Sequence, residues 1–216
     1  SQEPTGPVPL PAVPTGTSAV DAFTTKEYTG FYAHTLDARF AEALDLLGDI
    51  VLAPAFELDD IEVERGVILE EIGETKDNPD DLVHEMFVGS FWRNHPLGEP
   101  ILGTTESVRG IGVGDLYRYY RERYVPRNLI VSVAGHVREL EVLDSLEKLF
   151  RRRNGRGNGH RSGPRPAGKP HSHQHVQVKS RRGLEQVHVC LGVEGPPQGS
   201  GRRFSAHLLD IVLGGG

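Results

Sequence analysis

The run Asp60-Ile61-Glu62-Val63-Glu64-Arg65-Gly66-Val67-Ile68-Leu69-Glu70-Glu71-Ile72 constrains the fold more than any other stretch of this chain. Its apolar residues recur at helical spacing, so it reads as a helix that also carries acids among those residues. At about 100° per residue, Glu64 and Glu71 differ by only about 20° in azimuth and share one face. That face lies between Val67 on one side and Ile68, Ile72 and Ile61 on the other, while Glu62, Glu70 and Glu74 project elsewhere, towards solvent. A carboxylate on a core-facing stripe is costly unless it is paired, protonated or bound to a metal. The pair is therefore a candidate site. The plainer alternative is that both acids reach out from the edge of the stripe or pair with a neighbouring arginine. If the two are buried and unpaired, their carboxyls should titrate high.

Composition narrows the setting. The 216 residues suffice for one large domain, or for one domain and part of another. An apolar content of 37% and a charged content of 25% fit a globular protein. No apolar run approaches a membrane span, and the first residues show no signal-peptide pattern, which points to the cytoplasm. The single cysteine, Cys190, excludes an internal disulfide and a thiolate zinc cage. It sits in a strand-like run and reads as a buried structural thiol.

Along the chain, residues 1–18 hold five prolines and one charge, and read as a flexible or polyproline arm. Strand character follows at Asp21–Thr25 and Tyr28–Ala33. Helices are expected over Ala38–Leu52, from Asp59 or Asp60 to about Lys76, and from about Asp81 to Trp92, each bounded by a proline or an acidic cap. A short helix capped by Thr104 or Thr105 comes next, then helices over Val113–Tyr124 and Leu140–Phe150. Asn128–Gly135 is the strongest strand signal. Arg151–His175 holds seven Arg or Lys and no acid, and reads as a basic Gly/Pro-rich linker. Two strands, Val176–Lys179 and Gln186–Val193, and a helix from Arg203 to Leu213 close the chain. The mixture predicts an α+β fold, a mainly antiparallel sheet packed against helices. The expected organisation is an arm at 1–18, an incomplete α+β domain at 19–150, the linker at 151–175, and the start of a homologous second domain at 176–216.

Several short pieces, taken in order, resemble the insulinase/pitrilysin/mitochondrial-processing-peptidase family of inverted-motif zinc peptidases. They are Ala22-Phe23-Thr24-Thr25-Lys26-Glu27-Tyr28-Thr29, Leu52-Ala53-Pro54-Ala55-Phe56, and Glu64-Arg65-Gly66-Val67-Ile68-Leu69-Glu70-Glu71-Ile72. His95-Pro96-Leu97-Gly98 with Ile101-Leu102-Gly103-Thr104, Tyr124-Val125-Pro126-Arg127-Asn128, Glu185-Gln186-Val187-His188 and Leu213-Gly214-Gly215-Gly216 complete the series. The resemblance implies that Glu71 matches the distal glutamate that completes a zinc site after H-x-x-E-H. It implies that Glu64 is the supporting acid on the same helix. Ala22, Phe23 and Thr24 resemble the edge strand onto which an extended peptide substrate adds, although Asp21 stands where the family usually has asparagine. The implied activity is hydrolysis of peptide bonds by water bound to zinc. The implied partners are a peptide or protein substrate and a family-related subunit.

The chain departs from that pattern at the metal itself. H-x-x-E-H is absent. His84-Glu85 superficially suggests H-E-x-x-H, but Val88 occupies the second ligand position. Glu71 alone is one oxygen ligand, so this chain is expected to bind no zinc and to be inactive alone. The Pro-rich 1–18 also replaces the helix that follows the metal motif in the family, as in an incomplete, misassembled or degenerate version of the gene. Two readings stay open: part of a zinc metalloendopeptidase whose metal motif lies elsewhere, or a non-catalytic subunit that binds peptides or scaffolds an active partner. Alternating His171, His173 and His175 can point one way in an extended chain, though scattered linker histidines explain them equally. No aromatics interleave with the basic linker to stack bases, so neither nucleic acid nor a membrane is an expected partner.

Overall fold

The computed structural model describes residues 19–153, 168, 170–173 and 175–213. The expected arm, most of the basic linker and the closing glycines lie outside the described residues. Contacts divide the chain into two compact units. One holds the described residues of 12–72 and 101–167, the other those of 73–100 and 168–216.

In the first unit, β1 (Ala19–Thr24) and β2 (Thr29–His34) form an antiparallel pair in which Ala22 faces Phe31 and Thr24 faces Thr29. The Thr25 hydroxyl closes the turn by donating to the Tyr28 carbonyl and accepting from the Tyr28 amide. A 3-10 turn at Asp37–Arg39 leads into α1 (Phe40–Leu52). Then come α2 (Leu58–Asp77), whose last turn belongs to the other unit, α4 (Thr105–Gly110), α5 (Val113–Arg123) and α6 (Glu139–Arg153). Thr104 caps α4 by accepting from the Ser107 amide at 3.1 Å, and the Ser107 hydroxyl oxygen in turn accepts from the Thr104 amide at 2.9 Å. Such a reciprocal pair satisfies two donors that a helix start would otherwise leave open.

Helix α5 rests on the end of α1 through tyrosine hydroxyls. Tyr120 donates to the Val51 carbonyl at 3.0 Å and Tyr117 to the Ala55 carbonyl at 3.2 Å. Phe56 lies between those two rings, edge-on to each. It holds a positive φ of 53°, which a bulky residue tolerates only where packing over-determines it. Gly48 is where α1 meets α6, because a Cβ there would collide with the Leu149 side chain. Among the described residues, the buried hydrophobics are Ile72 and Val108.

The second unit begins with the last turn of α2 and with α3 (Pro79–Phe91), and ends with α7 (Arg203–Leu213). Asn78, rather than an aspartate, caps α3: its side chain accepts from the Asp80 amide at 3.0 Å, with Pro79 at the first helical position. Proline there loses nothing, since that amide has no intrahelical partner. Residues 173, 177 and 181 bond to α3 and to the end of α2 at separate points. His173 N–H donates to the Phe91 carbonyl, Ser90 Oγ to Gln177 Oε1, and Arg181 to the Asp77 carboxylate.

The helices and the first two strands form where the sequence predicts them, and the fold is α+β with a small antiparallel sheet. Three expected strands do not form. Asn128–Gly135, Val176–Lys179 and Gln186–Val193 join no ladder among the described residues. Their composition suits a pleated strand, but a strand exists only when another backbone takes its N–H and C=O groups. Ile72 carries much of the first unit's burial, so Ile72→Ala should cost about 2–5 kcal/mol, read as a lowered urea midpoint at unchanged slope.

Candidate functional site

The acidic helix is α2, and the structure decides which way it turns. Its inward face consists of Ile61, Arg65, Ile68, Leu69 and Ile72, with Ile72 only 4% exposed. Val63 and Val67 are 70% and 43% exposed. The apolar residues therefore split into an inner and an outer set, and the inner set is centred on Ile72 and Arg65. At about 100° per residue, this puts Glu64 and Glu71 roughly 80–100° off centre. Both are exposed. The expectation that they sit on a core-facing stripe is thus corrected: they share a face, but the face is open.

Arg65 is the residue that helical periodicity hides. It occupies the middle of the inward stripe with its side chain 17% exposed. Its guanidinium donates to the carbonyls of Val108 and Ile111, the latter at 2.8 Å, and pairs with Glu62 at 3.1 Å. Val108 and Ile111 are the end of α4, where carbonyls lack intrahelical partners and the helix dipole favours a cation. Neither Glu64 nor Glu71 is its partner. The available signal was an arginine at the i+4 position between Ile61 and Ile68, where a charge has to find bonds.

The resemblance also singles out Ala22, Phe23 and Thr24, and these lie on β1, the edge strand of a two-stranded sheet. One side of β1 pairs with β2, and the other has no strand beside it among the described residues. Asp21 engages this strand directly. Its Oδ1 accepts from the Ala22 amide at 2.8 Å and its Oδ2 from the Tyr32 hydroxyl at 3.0 Å. The carboxylate raises the Tyr32 pKa together with the partial burial of that hydroxyl, desolvation being the larger cause. A peptide adding at Ala22 would compete with this carboxylate for the amide.

In the second unit, α3 and the segment bonded to it enclose a cleft of about 520 Å³ lined by Glu85, Ser90, Arg93, His173, His175 and Gln177. The alternation of His173 and His175 does place both on the same cleft, while His171 is not among its lining residues. No group of three His, Cys, Asp or Glu able to hold a metal occurs among the described residues. Glu71 offers one exposed oxygen donor set without histidine beside it. Among the described residues, the donors present do not fit a zinc site.

The chain matches the model described as insulinase, peptidase family M16, over residues 15–105, and the model of the M16 inactive domain over residues 110–216. It belongs to peptidase family M16. The uncharacterized zinc protease of Mycobacterium leprae is 36% identical over 197 residues, covering 91% of this chain and 44% of the relative. The uncharacterized zinc protease YmxG of Bacillus subtilis is 35% identical over 196 residues, covering 91% and 46%. This chain thus spans less than half the length of these relatives. The crystal structure of an M16-like peptidase from Alicyclobacillus acidocaldarius is similar at a TM-score of 0.60 and 28% identity, over 65% of this chain and 33% of that one. A protease from Helicobacter pylori shares the fold at a TM-score of 0.64 and 21% identity, over 68% and 36%. Among the described residues, no helix is long and apolar enough to cross a membrane.

The Arg65 contact makes a measurable claim. The hydrogen bond from Arg65, ahead of simple charge attraction, holds the Glu62 carboxyl below its usual range. Arg65→Ala should return Glu62 to that range in an NMR pH titration and lower the urea midpoint. Arg65→Lys should recover only part, because one ammonium cannot serve two carbonyls and a carboxylate in the planar fork geometry. Since Glu62 is depressed in the folded chain, its contribution is present above the unfolded carboxylate pKa and is lost as pH falls through the folded one. Glu64→Gln and Glu71→Gln, at exposed positions, should leave the midpoint within about 0.5 kcal/mol of the parent.

Proposed function

We propose that this chain is the peptide-engaging portion of an M16 peptidase, carrying the substrate strand and the acidic pair without a metal centre of its own. In this reading 19–150 is an incomplete peptidase-like domain, 151–175 a linker, and 176–216 the start of a homologous domain. Ala22, Phe23 and Thr24 offer main-chain groups to an extended peptide. Glu71 occupies the position of the distal metal ligand and Glu64 that of its supporting acid. The observation that carries the reading is the exposed Glu64/Glu71 face of α2, with the open edge of β1 in the same unit. Zinc belongs to the family chemistry, and hydrolysis would require donors that this chain does not present.

A second reading is favoured by the match of residues 110–216 to the M16 inactive domain. Here the chain is a non-catalytic subunit that binds peptides or scaffolds an active partner. Both readings make the isolated chain inactive, and they differ in whether added histidine ligands restore chemistry. The purified chain should contain far less than one equivalent of zinc by elemental analysis and leave fluorogenic peptides uncleaved. Zinc near one equivalent that is lost on Glu71→Gln would overturn the assignment. Cleavage restored by supplying an H-x-x-E-H helix in trans would favour the first reading over the second.

A further inference from the structure

The pairing of β1 with β2 fixes the direction of every amide on β1. Thr25 donates its amide to the Tyr28 carbonyl at 2.8 Å, so these two residues are bonded across the hairpin. Bonded and non-bonded pairs alternate along an antiparallel ladder. Phe23 opposite Gly30 and Asp21 opposite Tyr32 are then bonded pairs, whereas Thr24 opposite Thr29, Ala22 opposite Phe31 and Val20 opposite Ala33 are not. The amides of Val20, Ala22 and Thr24 therefore point away from β2, to the outer edge. The middle one is already engaged, because the Ala22 amide donates to Asp21 Oδ1 at 2.8 Å. The second oxygen of that carboxylate accepts from the Tyr32 hydroxyl at 3.0 Å. Asp21 and Tyr32 stand directly opposite each other, so the tyrosine holds the carboxylate in place from the neighbouring strand.

We propose that Asp21 is an autoinhibitory cap on β1: its carboxylate, held by Tyr32, occupies the middle outward amide, and an extended peptide has to displace it before adding at Ala22. The inference rests on the reading that β1 takes the peptide, and it adds how that edge is regulated. A hydrogen bond to an ionised acceptor is roughly twice as strong as one to a neutral acceptor. A peptide carbonyl that takes the Ala22 amide thus replaces a charge-assisted bond with a weaker one. The displaced carboxylate also stays close to that carbonyl oxygen, and the two repel. Charged side chains on an edge strand oppose the addition of other strands. Here the charge sits on the amide that addition needs. Every atom of the cap belongs to residues 21–32, so the contact is independent of whatever chain packs beside the hairpin.

Two measurements on the full chain test this: amide hydrogen exchange by NMR, and fluorescence anisotropy with a fluorescein-labelled peptide of alternating threonine and valine. In the free chain the Ala22 amide should exchange more slowly than those of Val20 and Thr24, and Asp21→Ala should remove the difference. Asp21 is exposed, so this variant should keep the parent's circular dichroism. It should bind the peptide about fivefold more tightly than the parent, the size of one net hydrogen bond. Asp21→Asn is neutral and has one acceptor oxygen in place of two, so its affinity should fall between those of parent and Asp21→Ala. Tyr32→Phe, which frees one carboxylate oxygen, should also fall between them. Slowed exchange at Val20 and Thr24 on peptide addition should place the peptide on this edge. Affinity that Asp21→Ala leaves unchanged or weakens overturns the cap while the peptide reading stands. An Ala22 amide that exchanges as fast as its two neighbours in the parent also overturns the cap. A protected Ala22 amide with no peptide bound by the parent or any variant overturns the peptide reading, and the inhibitory role with it.

Discussion

The bond between one part-buried cation and the end of a short helix sets the geometry of the first unit. Arg65 brings a guanidinium to the carbonyls of Val108 and Ile111, which α4 leaves without intrahelical partners. Removing those groups from water is tolerable only because each finds its complement, and the Glu62 carboxylate balances the charge. A charge in that position cannot slide or rotate without losing bonds on both sides. It therefore fixes the roll of α2, and with it the direction in which Glu64 and Glu71 point.

That roll changes what the acidic pair means. On a core-facing stripe the two carboxylates would need a metal or a proton to be stable. On an open face they need neither, and water solvates them at little cost. In the proposed reading they stand where an acidic pair would support zinc, and their exposure is what lets the chain keep them without a metal. Val63 and Val67 lie exposed beside the pair. The open face of α2 thus carries both polar and apolar groups that the described chain does not cover.

Helix α3 is well formed, capped by Asn78 and started by Pro79, and it binds the following segment through His173, Gln177 and His188, while Arg181 bonds to Asp77 at the end of α2. These contacts are local side-chain anchors. They anchor the backbone at separate points without supplying the continuous ladder that would make it a sheet.

Helix positions were legible in the residues because the signals are local: the apolar period of α1, the Thr104 cap of α4, and the tyrosine face of α5 all act within a few turns. The start of α3, expected at about Asp81, falls at Asn78, because Asn78 and the aspartates after it are all chemically able to cap and the position of Pro79 decides. Strands over 128–135, 176–179 and 186–193 were read from composition, but strand formation depends on a partner distant in sequence, which composition does not contain. The shared face of Glu64 and Glu71 followed from spacing alone, since seven residues make nearly two whole turns. Whether that face is buried did not follow, because apolar residues flank it on both sides and either set could have been the core. Only the tertiary structure decided, through Arg65, whose carbonyl partners lie more than forty residues away.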